Sequence, residues 1–224
     1  FKPYNDNPKS SGMTTMTQEE LNDLVTFVDK EGFQIGIHAI GSKGNNMVLN
    51  AYEEAIKRNG RRDSRHRIEH SQVLIPEDIP RFAELGVIAS MQPTHCITDK
   101  RFAEKRIGKD RCRWAYAWKS LLDAGAKIAF GTDWPVEPVN PMEGLYAAVT
   151  RRGRDGKPEG GWFPEEKISM LKAIELYTLG SAYASFEERI KGSIEKGKLA
   201  DIVVLSQDLF EIPEDKIMDT KVVY

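Results

Sequence analysis

No stretch of the 224 residues approaches the roughly 20 consecutive apolar residues of a membrane-spanning helix, and no signal-peptide pattern opens the chain. A charge excess is also missing. Thirty-two basic and 34 acidic side chains leave a net charge of -2 with both signs interspersed, which gives no footprint for nucleic acid or an acidic membrane. Cysteine is scarce. Cys96 and Cys112 have no CxxC partner spacing, so a disulfide framework is excluded. Cys96 follows His95 directly; a ligand role is conceivable there, and a buried, idle thiol is the reading taken. A methionine start is absent too. Phe1 opens a segment through Met16 rich in Pro, Asn, Ser and Gly, read as a loop entered midway, so the first residue is expected to be an interior point of a longer protein. A cytoplasmic location is the expectation that goes with these absences.

What is present is a rhythm of strands and helices. Thr17 and Glu20 have capping-box spacing, Leu21, Leu24, Val25 and Val28 follow at helical period, and Gly32 supplies the stop. Strands are predicted at 33–38, 65–70, 87–91 and 127–131. Helices are predicted at 47–57, 76–85, 112–124 and 141–151, with one or two more in 165–184. Strands alternating with amphipathic helices imply parallel βαβ units with right-handed crossovers. Four such units are half of a closed eight-stranded barrel. The turn-rich stretch 192–201 and a β-branched strand at 202–205 leave this rhythm and predict a small β subdomain, with Val222–Tyr224 starting another strand. The expected division is a partial barrel at 1–188 and a subdomain segment at 189–224.

Three of the apolar runs end on metal-capable side chains: His38, His70 and Asp133. A parallel strand that delivers such a residue at its C-terminal end loads the mouth of a (β/α) barrel. Two imidazoles and a carboxylate form a ligand set that Zn²⁺ accepts. Taken singly, each has a plain structural reading: a hydrogen-bonded histidine at a strand end, or an aspartate capping a turn. Alternation along Arg65–His70 predicts His66, Ile68 and His70 on the barrel-interior face, His66 lower and structural. Arg67 and Glu69 are then expected to point outward into the helix layer as an ion pair. His95 follows the third strand and is expected in a loop over the same mouth, as a substrate hydrogen-bonder or a solvated loop residue. Trp134 and Trp162 either wall a pocket or simply pack. Arg151–Arg154 is expected to be a solvated helix end, with attraction of an anionic substrate as the other reading.

Five strings together resemble the amidohydrolase superfamily, and within it the branch of N-substituted formamide deformylase: His38-Ala-Ile-Gly41, Arg65-His-Arg-Ile-Glu-His70, Met91-Gln-Pro-Thr-His95, Phe130-Gly-Thr-Asp-Trp-Pro-Val-Glu-Pro138 and Gly192 through Asp201. They run in the expected order over nearly the whole chain. The resemblance implies that His38, His70 and Asp133, at strands five, six and eight, bind metal, with Asp133 also shuttling the proton. His95 and Trp134 are expected to meet the substrate. It implies one or two divalent ions, Zn²⁺ foremost, and cleavage of a non-peptide carbon–nitrogen bond in a small amide-like or formamide substrate. It also marks departures. No His-x-His occurs anywhere, the family's strand-four lysine is expected to lie before Phe1, with Lys2 too near the terminus for that role, and Ser42 takes a place the family usually gives to aspartate.

The fold expected is therefore α/β: strands five to eight of a (β/α)8 TIM-type barrel, with part of a small β-sandwich subdomain. The alternative is a non-catalytic half-barrel that binds a ligand without turnover or closes its open edges by forming a homodimer.

Overall fold

The computed structural model describes residues 1–224, and they fall into two compact units. The first comprises 1–91 and 102–128; the second comprises 92–101 and 129–224. The predicted subdomain segment 189–224 lies wholly within the second unit. The chain is an α/β protein with one four-stranded sheet, β1 (Gly36–Ala39), β2 (Arg67–His70), β3 (Ile88–Met91) and β4 (Lys127–Phe130), in the order β1-β2-β3-β4. β1 and β2 pair in parallel with His38 opposite Glu69, and β2 pairs in parallel with β3.

In the first unit, helix α1 (Gln18–Lys30) starts on the predicted capping box: the Thr17 hydroxyl accepts from the Glu20 amide, and the Glu20 carboxylate accepts from the Thr17 amide. This satisfies two of the donors that a helix start leaves unpaired. α2 (Ser42–Asn59) begins five residues before its first expected residue, because Asn45 ties the turn together. The Asn45 side-chain amide donates to Gly41 O at 3.1 Å and to Val73 O at 3.2 Å. Leu21 and Val25 of α1, Val48, Leu49 and Tyr52 of α2, and Ile68 of β2 are all buried and form the core. α3 (Ile79–Leu85) follows a 3₁₀ turn at Pro76–Asp78 and stops on left-handed Gly86.

The long helix predicted at 112–124 is broken into α5 (Lys109–Cys112) and α6 (Trp118–Asp123). Between them the backbone pairs elsewhere: Leu74 N–H donates to Trp114 O, Tyr116 N–H donates to Gln72 O, and Val73 bridges Ala115. Residues 114–116 are thereby drawn into a β-like ladder, and Tyr116 takes φ +54°. Helix α4 (Pro93–Ile107) was not predicted at all. Its buried residues are confined to Pro93–Ile97, so it lacks the repeating apolar stripe that announces a helix.

The second unit holds α7 (Pro141–Thr150), a 3₁₀ turn at Pro164–Glu166, α8 (Met170–Glu175), a π turn (Leu176–Gly180) and α9 (Ser181–Ala184). The predicted strand at 202–205 is reduced to an isolated antiparallel bridge between Leu205 and Val222. Val204 N–H donates to Tyr224 O, and Val223 N–H donates to Val204 O. With no third strand alongside, Val203, Val223 and Tyr224 stay exposed. Arg151 also departs from expectation. It is fully buried, with its guanidinium over the Trp162 ring and Nε donating to Trp162 O. Arg152 pairs with Glu214 and Arg154 with Glu143. Only Arg154 keeps the expected exposure; Arg151 is buried and Arg152 is ion-paired within the unit, and Trp162 is a packing residue.

Both cysteines are free and buried. Burial pushes the Cys96 thiol up to about 11 and the Cys112 thiol up to about 12, so neither presents a thiolate at neutral pH. The expected result is no reaction of the native protein with a disulfide reagent at pH 8 and reaction of both thiols in urea. A fast-reacting thiol in the folded protein would contradict this burial.

Candidate metal and proton-transfer site

In the first unit the two strand-end histidines are brought together. Their ring centroids lie 4.5 Å apart in an edge-to-face arrangement at 75°. Simple alternation does not produce this contact. His66 is buried against the helices: its Nε2 lies 3.0 Å from Asp29 Oδ1 on α1, and its ring stacks on Tyr52 of α2. Arg67 and Glu69 therefore take the opposite face, shared with Gly36 and His38 of β1, which reverses the predicted facing of β2. The predicted ion pair exists, Arg67 Nε to Glu69 Oε1 at 2.9 Å, on the His38 face instead of in the helix layer. It leans across Gly36, where a β-carbon would stand 2.7 Å from Glu69 Oε1 and 3.2 Å from Arg67 Nη2. A side chain at position 36 would displace the pair.

His70 reaches His38 because its own backbone leaves the pleat. His70 takes φ +76° and Ser71 φ +44°, left-handed values that cost a non-glycine residue about 1–3 kcal/mol each. That turn re-aims the imidazole from the face of His66 towards the face of His38. Ser71 is fully buried and donates its hydroxyl to Ile68 O at 3.0 Å, so the strained turn is held from within. Positions of this kind cluster at functional sites. Nothing in the sequence marks the φ change, and for that reason alternation misreads the strand.

In the second unit Asp133 and His95 face each other, with Asp133 Oδ2 3.8 Å from His95 Nε2. His95 stands buried on the first turn of α4, not in a solvated loop. Pro93 opens that helix, where its lack of an N–H carries no penalty. Asp133 is half-buried and also left-handed, at φ +60°. Its carbonyl accepts from Val136 N–H at 2.8 Å. Downstream, the Thr98 hydroxyl donates to Glu137 at 2.7 Å. Trp134 is 68% exposed beside Asp133. Upstream, Phe130 O accepts from the Ser181 hydroxyl at 2.8 Å, and Gly131 O accepts from the Tyr177 hydroxyl at 3.4 Å. Thr98, Tyr177 and Ser181 escaped the sequence reading because a hydroxyl bound to a group distant in sequence, the Glu137 carboxylate for Thr98 and backbone carbonyls for Tyr177 and Ser181, leaves no local pattern.

The site residues thus fall into two pairs, each built inside its own unit: His38 with His70, and His95 with Asp133. Imidazole nitrogens and a carboxylate oxygen, with no thiolate, are donor types that suit a hard or borderline divalent ion. The amidohydrolase family model matches residues 1–224. The chain belongs to the amidohydrolase family.

Among amidohydrolase relatives, the chain is similar to Protein LONG AFTER FAR-RED 3 of Arabidopsis thaliana, with 39% identity over 94% of this chain and 36% of that protein. It is similar at 28% identity to the N-substituted formamide deformylase of Arthrobacter pascens, over 94% of this chain and 38% of the enzyme. Among solved structures, an uncharacterised metal-dependent hydrolase from Pyrococcus horikoshii OT3 superposes with a TM-score of 0.82 at 31% identity, over 95% of this chain and 42% of the other. The chain therefore spans well under half the length of the relatives it matches. No helix is long and apolar enough to cross a membrane.

Proposed function

We propose that this amidohydrolase chain carries the metal-facing, C-terminal part of a hydrolase that cleaves non-peptide carbon–nitrogen bonds in small amide-like molecules. In this reading its strands are five to eight of a (β/α)8 barrel, and residues 189–224 contribute to a small β-sandwich. His38, His70 and Asp133 hold the divalent ion, Zn²⁺ by ligand type, as one or two ions in the complete site. The observation that carries the reading is the His38–His70 contact. Two imidazoles from neighbouring strands converge because His70 is held in a left-handed conformation, of the kind that clusters at functional sites.

A bound divalent ion supplies Lewis acidity and lowers the pKa of water from about 15.7 towards 7. The protein's own side chains do the rest. Asp133 takes the proton from the attacking water and returns it to the leaving nitrogen, the two half-reactions of general acid–base catalysis. His95, facing Asp133 at 3.8 Å, is placed to hydrogen-bond the substrate carbonyl or to orient the Asp133 carboxylate. Trp134 offers an apolar surface to the part of the substrate that does not react.

Metal loading followed by elemental analysis tests the ligand set. Stoichiometric zinc is expected in the unaltered protein, with loss of zinc in His38→Ala and in His70→Ala while the circular dichroism of both variants stays unchanged. A folded protein that takes up no zinc would overturn the reading. Sedimentation of the same samples addresses the self-associating alternative, for which a homodimer without turnover on N-acyl and N-formyl amines would speak.

A further inference from the structure

Within the second unit, two residues outside the ligand and proton-transfer set converge on the backbone that leads into Asp133. The π turn at Leu176–Gly180 widens the helical repeat, and such turns are frequent at functional sites. It sets Tyr177 and Ser181 against successive carbonyls. The Tyr177 hydroxyl donates to Gly131 O, and the Ser181 hydroxyl donates to Phe130 O. The Tyr177 ring packs edge-on against Phe130, with centroids 5.4 Å apart.

Room for the phenol comes from Gly144 on α7. A β-carbon there would lie 1.8 Å from Tyr177 Oη and 2.9 Å from Cζ, so no other residue at 144 is compatible with this placement. Burial pushes the Tyr177 hydroxyl well above its usual range, and it stays a protonated donor. Downstream, Val136 N–H holds the Asp133 carbonyl at 2.8 Å. Asp133, at φ +60°, is clamped from both sides. A left-handed non-glycine residue persists only where its surroundings over-determine it.

We infer that Tyr177 and Ser181, in the space left by Gly144, are positioning residues that fix the carboxylate of Asp133. The inference rests on the proposed role of Asp133 as ligand and proton carrier, and its test separates the two.

Hydrogen exchange in the metal-free protein reads the clamp directly. In Tyr177→Phe combined with Ser181→Ala, protection of the Val136 amide is expected to fall about tenfold or more, while protection in α1 is unchanged. Zinc affinity, measured by chelator competition, is expected to fall about 10–100-fold, the range for residues that support a ligand. Ser181→Thr, which keeps a hydroxyl, should restore both when paired with native Tyr177. Gly144→Ala is the sharper variant. Alanine is the better helix former, so any loosening of Val136 in that protein comes from the displaced phenol and not from a weakened α7.

Unchanged Val136 exchange in both the double variant and Gly144→Ala would overturn the inference, whatever the metal does. A local loss of protection with unchanged zinc affinity would equally overturn it, since the clamp would then not act on Asp133. If the unaltered protein binds no zinc while Val136 still loosens, the metal reading falls, and what stands is the clamp on the Asp133 backbone.

Discussion

Replacing Asp133 by Asn is expected to lower hydrolysis of an N-acyl or N-formyl amine by about 10²–10⁴-fold, the contribution of a well-placed general acid–base. Asparagine keeps an oxygen donor and nearly the same volume, so the protein should still fold and retain divalent metal more weakly. The carboxylate's proton chemistry is what the substitution removes. The comparison should be made as kcat and kcat/KM on the same substrate panel, because an interaction made only in the transition state lowers both equally. Activity within threefold of the unaltered protein would remove Asp133 from its proposed role. A loss confined to KM would instead make it a substrate-binding residue.

The second large effect lies on the other face of β2. Asp29 is buried and accepts three hydrogen bonds: from His66 Nε2 at 3.0 Å, from Asn59 Nδ2 at 2.9 Å and from Arg62 Nε at 2.9 Å. Asp29→Ala should destabilise the protein by about 1–3 kcal/mol, the cost of leaving the buried His66 donor unsatisfied, since Arg62 stays partly exposed and can be rehydrated. The same network carries a pH dependence. Burial lowers the His66 imidazole below its usual range, although Asp29 pulls the other way. For Asp29, burial would raise the carboxyl, but the hydrogen bonds from Asn59 and His66 and the Arg62 charge outweigh it and hold it below the usual range.

The signs agree. With His66 depressed in the folded state, the unfolded chain binds the proton more readily once pH drops below about 6.5, so stability falls from there downward. With Asp29 depressed, its contribution is present above about 3.9 and is lost as pH falls through the lower folded value. A urea midpoint that is level above pH 7 and declines steadily from pH 6.5 to pH 4 is therefore expected. A midpoint flat from pH 8 to pH 5 would contradict the His66 assignment.

Much of the architecture could be read from residue pattern. All four strands lie inside their predicted spans or overrun them by one residue, because short apolar runs bounded by glycine and polar turns have few other uses. The Thr17–Glu20 cap was legible because both its partners sit three residues apart in the chain. What escaped were features decided by contacts between distant residues. The broken helix at 112–124 follows from backbone pairing of 114–116 with 72–74, and helix α4 carries too narrow an apolar stripe to announce itself. At the site, the residue types of His38, His70 and Asp133 were apparent, and the way they are aimed was not. A left-handed residue at the end of β2 reverses what alternation implies, and no local signal precedes it. The reversal of Arg67 and Glu69 follows from the same limit, since which face of a strand meets the helices depends on Asp29 and Tyr52, far away in sequence.

The gap at Gly36 carries a consequence for how this sequence can vary. Position 36 shares one small volume with the tips of the side chains of residues 67 and 69, so what stands at 36 sets where that ion pair lies. Alanine at position 36 should be accommodated by a swing of the two flexible, partly exposed tips. The expected result of Gly36→Ala is a folded protein in which the Arg67–Glu69 pair is shifted or parted while the His38–His70 contact is kept.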